Sequence, residues 1–286
     1  MVVQGRVLNW RPSLKDANDK QYKHIELAVP RLILPASMDL RPKCSPVMDQ
    51  LQMGSCSGNA TAGAVEFLEL QELPLPGAQP QEYVPGKFDP VSRLFIYWNE
   101  RALEGTTGQD AGATTLRDAC VAVQSKGVPR ESTWPYLQSN LLRCPTSQAY
   151  GEAYHHKVPF FYELSDLTEL KRCLANGFPH LFGIPVYSSF LSQQAAMTGI
   201  IPMPGGRGDT IQGGHALLCV GYDDMNQWFI FRNSWGVSWG QAGYGFLPYA
   251  YMEMYADDFY TLRRLPATSG AKKPATVPTA QLPQAA

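Results

Sequence analysis

At 286 residues, 44% apolar and 17% charged, the chain can bury a sizeable core and is not disordered throughout. Lys plus Arg total 24 against 25 for Asp plus Glu, so no bulk field draws it to nucleic acid or to an anionic membrane. No run approaches the ~20 apolar residues of a membrane helix, and Met1 to Lys20 lacks the apolar core of a secretory signal, which leaves the compartment open.

Residues 1–37 are polar and mixed, with Trp10-Arg11-Pro12 and an apolar patch at Leu32 to Leu34, and read as an N-terminal extension. Cys56 to Glu72 is helix-patterned, and five prolines with two glycines between Leu68 and Pro90 end it in a loop. Val91 to Leu103 reads as a second helix, and Ala113 to Lys126 as a third, stopped by Gly127. Lys157 to Leu164 has strand character, and Leu167 to Asn176 is a short helix closed by Gly177. Phe182 to Tyr187 is an apolar run, and strands follow at His215–Tyr222 and Trp228–Arg232. From residue 266 the Pro/Ala/Thr/Lys-rich tail has almost no large apolar residue and is expected to be disordered. Helices first and strands later imply an α+β chain of two lobes, residues 38–158 and 159–265, with a cleft between them.

The chemistry concentrates in three places. Gln50-Leu-Gln-Met-Gly-Ser-Cys-Ser-Gly58 puts a thiol at a helix start, where unpaired N–H groups and the macrodipole favour thiolate. A lone Cys there is more often a small buried apolar residue. A base and an orienting group downstream change that balance. Gly213-Gly214-His215 opens one strand, and Asn233-Ser-Trp235-Gly-Val-Ser-Trp239-Gly follows the next. An imidazole can take the thiol proton, an Asn oxygen can orient the ring, and a Trp can keep water from their hydrogen bond. Read blandly, these are a core His, a turn Asn and two core tryptophans, but all three coincide in the right order. His155-His156 and Asp209 are better read as structural or solvated residues.

With these residues in view, the chain resembles the papain-like cysteine peptidases, most closely a prokaryotic, xylellain-like branch. The likeness also rests on Leu40-Arg41-Pro42, Gly127-Val128, Trp134-Pro135-Tyr136 and Asp258-Phe259-Tyr260. That family works through a Cys-His-Asn constellation, which the resemblance implies for this chain. Met53 and Ser57 depart from the cathepsin signature, which has Cys and an aromatic there. The resemblance implies a papain-like fold, a helical lobe facing a β-barrel-like lobe. It implies an endopeptidase working through an S-acyl intermediate, with Cys56 as nucleophile, His215 as acid and base, Asn233 as orienter and Gln50 as oxyanion donor. A thiolate–imidazolium pair is expected at neutral pH. Gly112, Gly214 and Trp235 are implied at the substrate groove, and Asp257 at the floor of a side-chain pocket. The short extension is implied to cover the cleft as a possible prosegment. The expected partner is an extended polypeptide; no metal, cofactor, nucleic acid or membrane is needed, and a monomer is expected. Six dispersed cysteines fit a chain without the usual disulfides. The rivals are an acyl transferase or peptide ligase on the same machinery, and a silent peptide-binding homologue.

Overall fold

The computed structural model describes residues 2–3, 5–23, 33–71, 88–110 and 114–264. Helix α1, Cys56–Gln71, is the structural axis. It is not amphipathic, because it is buried on almost every side, from Cys56 through Leu68. Small residues let neighbours close in. A Cβ on Gly58 would lie 2.7 Å from Arg93 O, and one on Gly63 would lie 3.3 Å from Leu218 Cδ2. One face thus takes a helix and another the sheet.

Helix α2, Arg93–Glu104, starts where Ser92 Oγ accepts from Phe95 N and stops at Gly105 in the left-handed region. Helix α3, Leu116–Ser125, is capped the same way by Thr115. Gly127, with φ 79°, is required as predicted: a Cβ would stand 1.8 Å from Ala153 O, in helix α4, Ser147–Ala153. Met53, Leu94, Phe95, Tyr97, Trp134 and Leu141 form a second small core within this helical half. Helix α5, Leu167–Ala175, is capped by Asp166.

The strands β4 (Phe160–Glu163), β5 (His180–Tyr187), β6 (Ile211–Asp223), β7 (Trp228–Arg232), β8 (Tyr244–Pro248) and β9 (Asp257–Arg263) form an antiparallel sheet in the order β4-β9-β5-β6-β7-β8. Strand β3, Ser37–Asp39, comes from before the helices and pairs with β6 at Gly221–Asp223. The sheet is open, bounded by β4 and β8, rather than closed into a barrel. Helices α6, Gln193–Thr198, and α7, Tyr249–Tyr255, sit in the connections. Strands β8 and β9 and helices α4, α6 and α7 were not expected from sequence periodicity, being short elements set by their neighbours. At the N-terminus, β1 (Val2–Val3) and β2 (Arg6–Val7) form a small hairpin. All six cysteines are free thiols. Among the described residues no helix is long and apolar enough to cross a membrane.

His180 on β5 is fully buried in a cage of Phe182, Phe229 and Phe259, and among the described residues neither ring nitrogen finds a well-formed hydrogen bond. Burial, with Arg263 nearby, pulls its pKa down to about 3. The unfolded chain therefore binds a proton that the folded chain refuses, in the window from the ordinary value of 6.5 down to about 3. Stability is lost as pH falls through that window, by about 1.4 kcal/mol per pH unit for one such group. Replacing His180 by Phe should flatten the fall of the melting temperature between neutral and acid pH. An unchanged slope would show that this ring does not set acid stability.

Candidate active site

The turn before α1 is held from several sides. Gly54 N donates to Asp110 Oδ1 at 3.0 Å, Ser55 Oγ meets Tyr136 OH at 2.5 Å, and Tyr136 OH donates to Gln50 O at 2.9 Å. Leu51 takes a left-handed φ of 53° to make the bend. Cys56 emerges as the first helical residue and is fully buried.

Across from it, β6 carries His215 in register with Ile184. His215 Nε2 bonds Asn233 Oδ1 at 2.9 Å, which leaves Nδ1 without a partner among the described residues. Asn233 lies just beyond β7, held by its N–H to Gly243 O at 2.9 Å, and its Oδ1 also accepts from Ser234 N at 2.8 Å. Trp235 stacks over the imidazole at 4.9 Å and 25°, and is itself braced edge-on by Phe190 and Trp239. Gln50 is fixed to the same segment. Its N–H donates to Ser234 O at 2.8 Å, its Oε1 accepts from Ser234 Oγ at 2.6 Å, and its Nε2 donates to Met53 O at 3.0 Å.

The fold therefore gathers Gln50, Cys56, Gly214, His215, Asn233 and Trp235 at one junction. The thiol lies against the backbone of Ala216, the residue after His215. Gly112 falls outside the described residues. Burial pushes the Cys56 thiol up to about 11, with Glu100 adding to it, against the opposing N–H groups of Ala216, Ser57 and Cys56 itself. Burial also pulls His215 down to about 4, aided by Arg6 and opposed by the Asn233 bond. Burial of both groups in this covered state thus works against the expected thiolate–imidazolium pair.

What covers it is the N-terminal segment, whose place at the site was legible only as a resemblance. Asn9 Oδ1 accepts from Cys56 Sγ at 3.7 Å, and Asn9 and Trp10 form parallel bridges with Gly214 and Thr114. Trp10 N donates to Gly214 O at 3.2 Å and Arg11 N to Thr114 O at 3.1 Å. The indole fills a space that Gly183 leaves: a Cβ there would stand 1.9 Å from Trp10 Cε2. One on Gly214 would stand 1.9 Å from Trp10 O. At the end of that space Trp10 Nε1 donates to Asp258 Oδ2 at 3.1 Å.

The carboxylate facing the indole is thus Asp258 and not Asp257. Between Leu181↔Tyr260 and Gly183↔Asp257 the pairing gains one residue on β9. That bulge, with Asp258 at a left-handed φ of 67°, turns its side chain inward, where Leu116 N and Ser13 N also donate to it. Asp257 points out, half-exposed, toward Lys15 Nζ at 3.4 Å. Burial raises the Asp258 carboxyl, while the donors from Ser13, Leu116 and Trp10 oppose that rise.

Ion pairs pin the strap at both ends. Arg6 binds Asp49 beside Trp235, while Lys15 reaches Glu163 at 2.6 Å and Arg117 holds Asp16 at 2.6 Å and Asp19 at 2.7 Å. Asp209 is no simple solvated loop residue, since it accepts from Ser188 Oγ, Ser189 N and Ser189 Oγ and organises the turn after β5. Among the described residues no group of His, Cys, Asp and Glu is arranged to hold a metal ion.

Comparison with known proteins bears on this geometry. A sequence model of the papain family cysteine protease matches residues 104–254, the span holding His215 and Asn233. An uncharacterized peptidase C1-like protein of Acanthamoeba polyphaga mimivirus is 35% identical over 249 residues, 82% of this chain and 76% of the viral protein. Cathepsin K of Gallus gallus is 29% identical over 217 residues, 73% of this chain and 58% of its own length. The crystal structure of xylellain, a cysteine protease from Xylella fastidiosa, superposes with a TM-score of 0.77 at 33% identity, covering 93% of this chain and all of that one. With its thiol, imidazole and amide gathered at one junction of an α+β papain-like fold, this chain belongs to the papain family of cysteine peptidases, hydrolases of peptide bonds.

Proposed function

We propose that the chain is an endopeptidase acting through a Cys56–His215–Asn233 triad, held shut by its own N-terminal strap. The observation that carries the triad is the His215 Nε2–Asn233 Oδ1 bond with Nδ1 left unpartnered. Asn233 Oδ1 is an acceptor only, so it selects the tautomer with the proton on Nε2 and leaves Nδ1 free to take the thiol proton. Cys56 Sγ then attacks the peptide carbonyl, and His215 returns the proton to the departing amine. Water, deprotonated by the same ring, releases the acyl group. The oxyanion is placed at Cys56 N and Gln50 Nε2. A primary amide has two N–H donors and Met53 O takes one, so the other remains for this use. The endopeptidase reading is supported by the strap, a polypeptide that passes the thiol on both sides, from Arg6 near Trp235 to Lys15 at Glu163. The strap bonds the groove edge at Gly214 and Thr114 as a polypeptide substrate would.

Three outcomes test this reading. Replacing Trp10 by Ala empties the indole site, a change that costs about 3–5 kcal/mol for a buried Trp elsewhere. It is expected to raise the rate of Cys56 labelling by a vinyl sulfone by tenfold or more, on the order of what ~1.4 kcal/mol allows. A lower melting temperature with an unchanged labelling rate would show a strap that only packs.

The pH profile follows from burial. In the intact chain, alkylation of Cys56 by iodoacetamide should rise only in the alkaline range, because the thiol is held up to about 11. Deleting Met1–Lys23 admits water and removes Arg6, which lets the thiol fall and the imidazole rise toward an ion pair. The alkylation midpoint should then drop below the ~8.5 of a simple thiol. A midpoint that stays at or above that value in the trimmed chain refutes ion-pair activation.

The pocket that holds the indole is read as a substrate side-chain site with Asp258 at its floor. In place of Trp10 Nε1, a substrate Arg or Lys would donate to this carboxylate in a charge-assisted bond. Matched peptides carrying Arg or Leu at that position should show a ratio of kcat/KM that Asp258→Asn lowers and Asp257→Ser leaves unchanged. If Asp258→Asn leaves the Arg-to-Leu ratio as it was, the carboxylate does not select the side chain.

A further inference from the structure

Arg232 is the last residue of β7 and directly precedes Asn233. Its side chain turns away from the strand's own layer into the joint between α1 and the loop leading to Gln50, and is 6% exposed. Nη1 donates to Ser45 O and Ser45 Oγ, each at 2.8 Å, and Nη2 donates to Pro46 O at 2.5 Å. Nη2 also lies 3.9 Å from Glu66 Oε2. Glu66 stands on α1, the helix that begins at Cys56, and is 1% exposed. It accepts from Ser45 Oγ and, at 3.2 Å, from Val91 N. A Cβ on Gly63 would lie 3.5 Å from Arg232 Cζ, ordinary van der Waals contact, so the guanidinium lies directly against α1.

One guanidinium therefore ties together three backbone segments. They are the helix that presents the thiol, the stretch that leads to Gln50, and the strand end that carries the amide oriented on His215. A buried ion pair is weak evidence for stability, because the desolvation of both ions offsets most of their attraction. Geometry explains its presence better here. The Arg fork fixes direction as well as distance, and it binds backbone carbonyls that cannot change rotamer.

We propose that Arg232 is a positioning residue for the triad: it sets the separation of α1 from the end of β7, and so keeps Asn233 Oδ1 on His215 Nε2. This rests on the Cys56–His215–Asn233 reading. If β7 shifts against α1, the amide leaves the ring, the tautomer is no longer selected, and Nδ1 no longer faces the thiol in its acceptor form. Displacements on the order of 1 Å cost about 10²-fold in turnover in other enzymes.

The test is made on the full chain labelled with ¹⁵N-histidine. Only five histidines contribute, and His215→Ala assigns the one of interest. Arg232→Met alone strands the Glu66 charge in the interior and is expected to fold poorly. The informative protein is the double variant Arg232→Met with Glu66→Gln, which removes both charges and should retain a near-native melting temperature. In the wild type, His215 should appear as the Nε2–H tautomer with a slowly exchanging proton. In the double variant that proton should exchange at least tenfold faster. Residual peptide turnover should fall by about 10- to 100-fold in kcat, with KM within about twofold. Arg232→Lys keeps the charge opposite Glu66 without the fork and should fall between the two. A purely structural role moves the melting temperature and none of these readouts. A double variant with a wild-type His215 spectrum and kcat overturns the proposal. A wild type without the Nε2–H tautomer overturns the triad reading itself, and the proposal with it.

Discussion

The structure depends on the burial of α1 between a helix and a sheet. Its N-terminus holds Cys56 in place where Gly58 lets the backbone of α2 approach and Gly63 lies against Leu218 of β6 and the Arg232 guanidinium. An amphipathic helix on a surface would leave its first turn free to fray. Here the first turn is enclosed, and the residue before the helix, Ser55, is tied through Tyr136 to Gln50. The thiol proposed as nucleophile and the amide proposed to serve the oxyanion are therefore parts of one braced turn.

The same closeness creates an electrostatic problem that the strap makes worse. A site dry enough to strengthen hydrogen bonds also disfavours separated charge, which is why burial dominates the shifts at both Cys56 and His215. Covering the cleft with Asn9 and Trp10 thus acts twice. It lies over the thiol, and by burying thiol and imidazole it disfavours the charged form of each. On the proposed reading the two effects share one cause, so lifting the strap would change access and reactivity together.

The strap is held chiefly by its ends and by one side chain in the middle. Arg6–Asp49 at one end, and Lys15–Glu163 with Arg117–Asp16 and Arg117–Asp19 at the other, are part-exposed ion pairs, individually weak and sensitive to salt. The Trp10 indole is buried and hydrogen-bonded, and Leu8 and Tyr22 of the same segment are buried in the core beside it.

Much of this was legible from sequence because it rests on local chemistry. A helix starting at Cys56, strand β7 over Trp228–Arg232, the stop at Gly127 and the order thiol, imidazole, amide all follow from periodicity, turn residues and the reaction's needs. Gln50, His215 and Asn233 could be singled out because acyl transfer would need a donor, a base and an orienter, the roles proposed for them here. What the tertiary structure alone decided is where separate segments meet. Asp258 rather than Asp257 faces the indole because a one-residue bulge on β9 reverses the alternation of the strand, and strand pairing is not written in either strand. Trp10 lies in the cleft because Gly183 and Gly214, far along the chain, leave it room. The thiol is pushed up and the imidazole pulled down by burial, which no local pattern encodes. Residues announce the chemistry they can do; only their packing sets the solvent in which they do it.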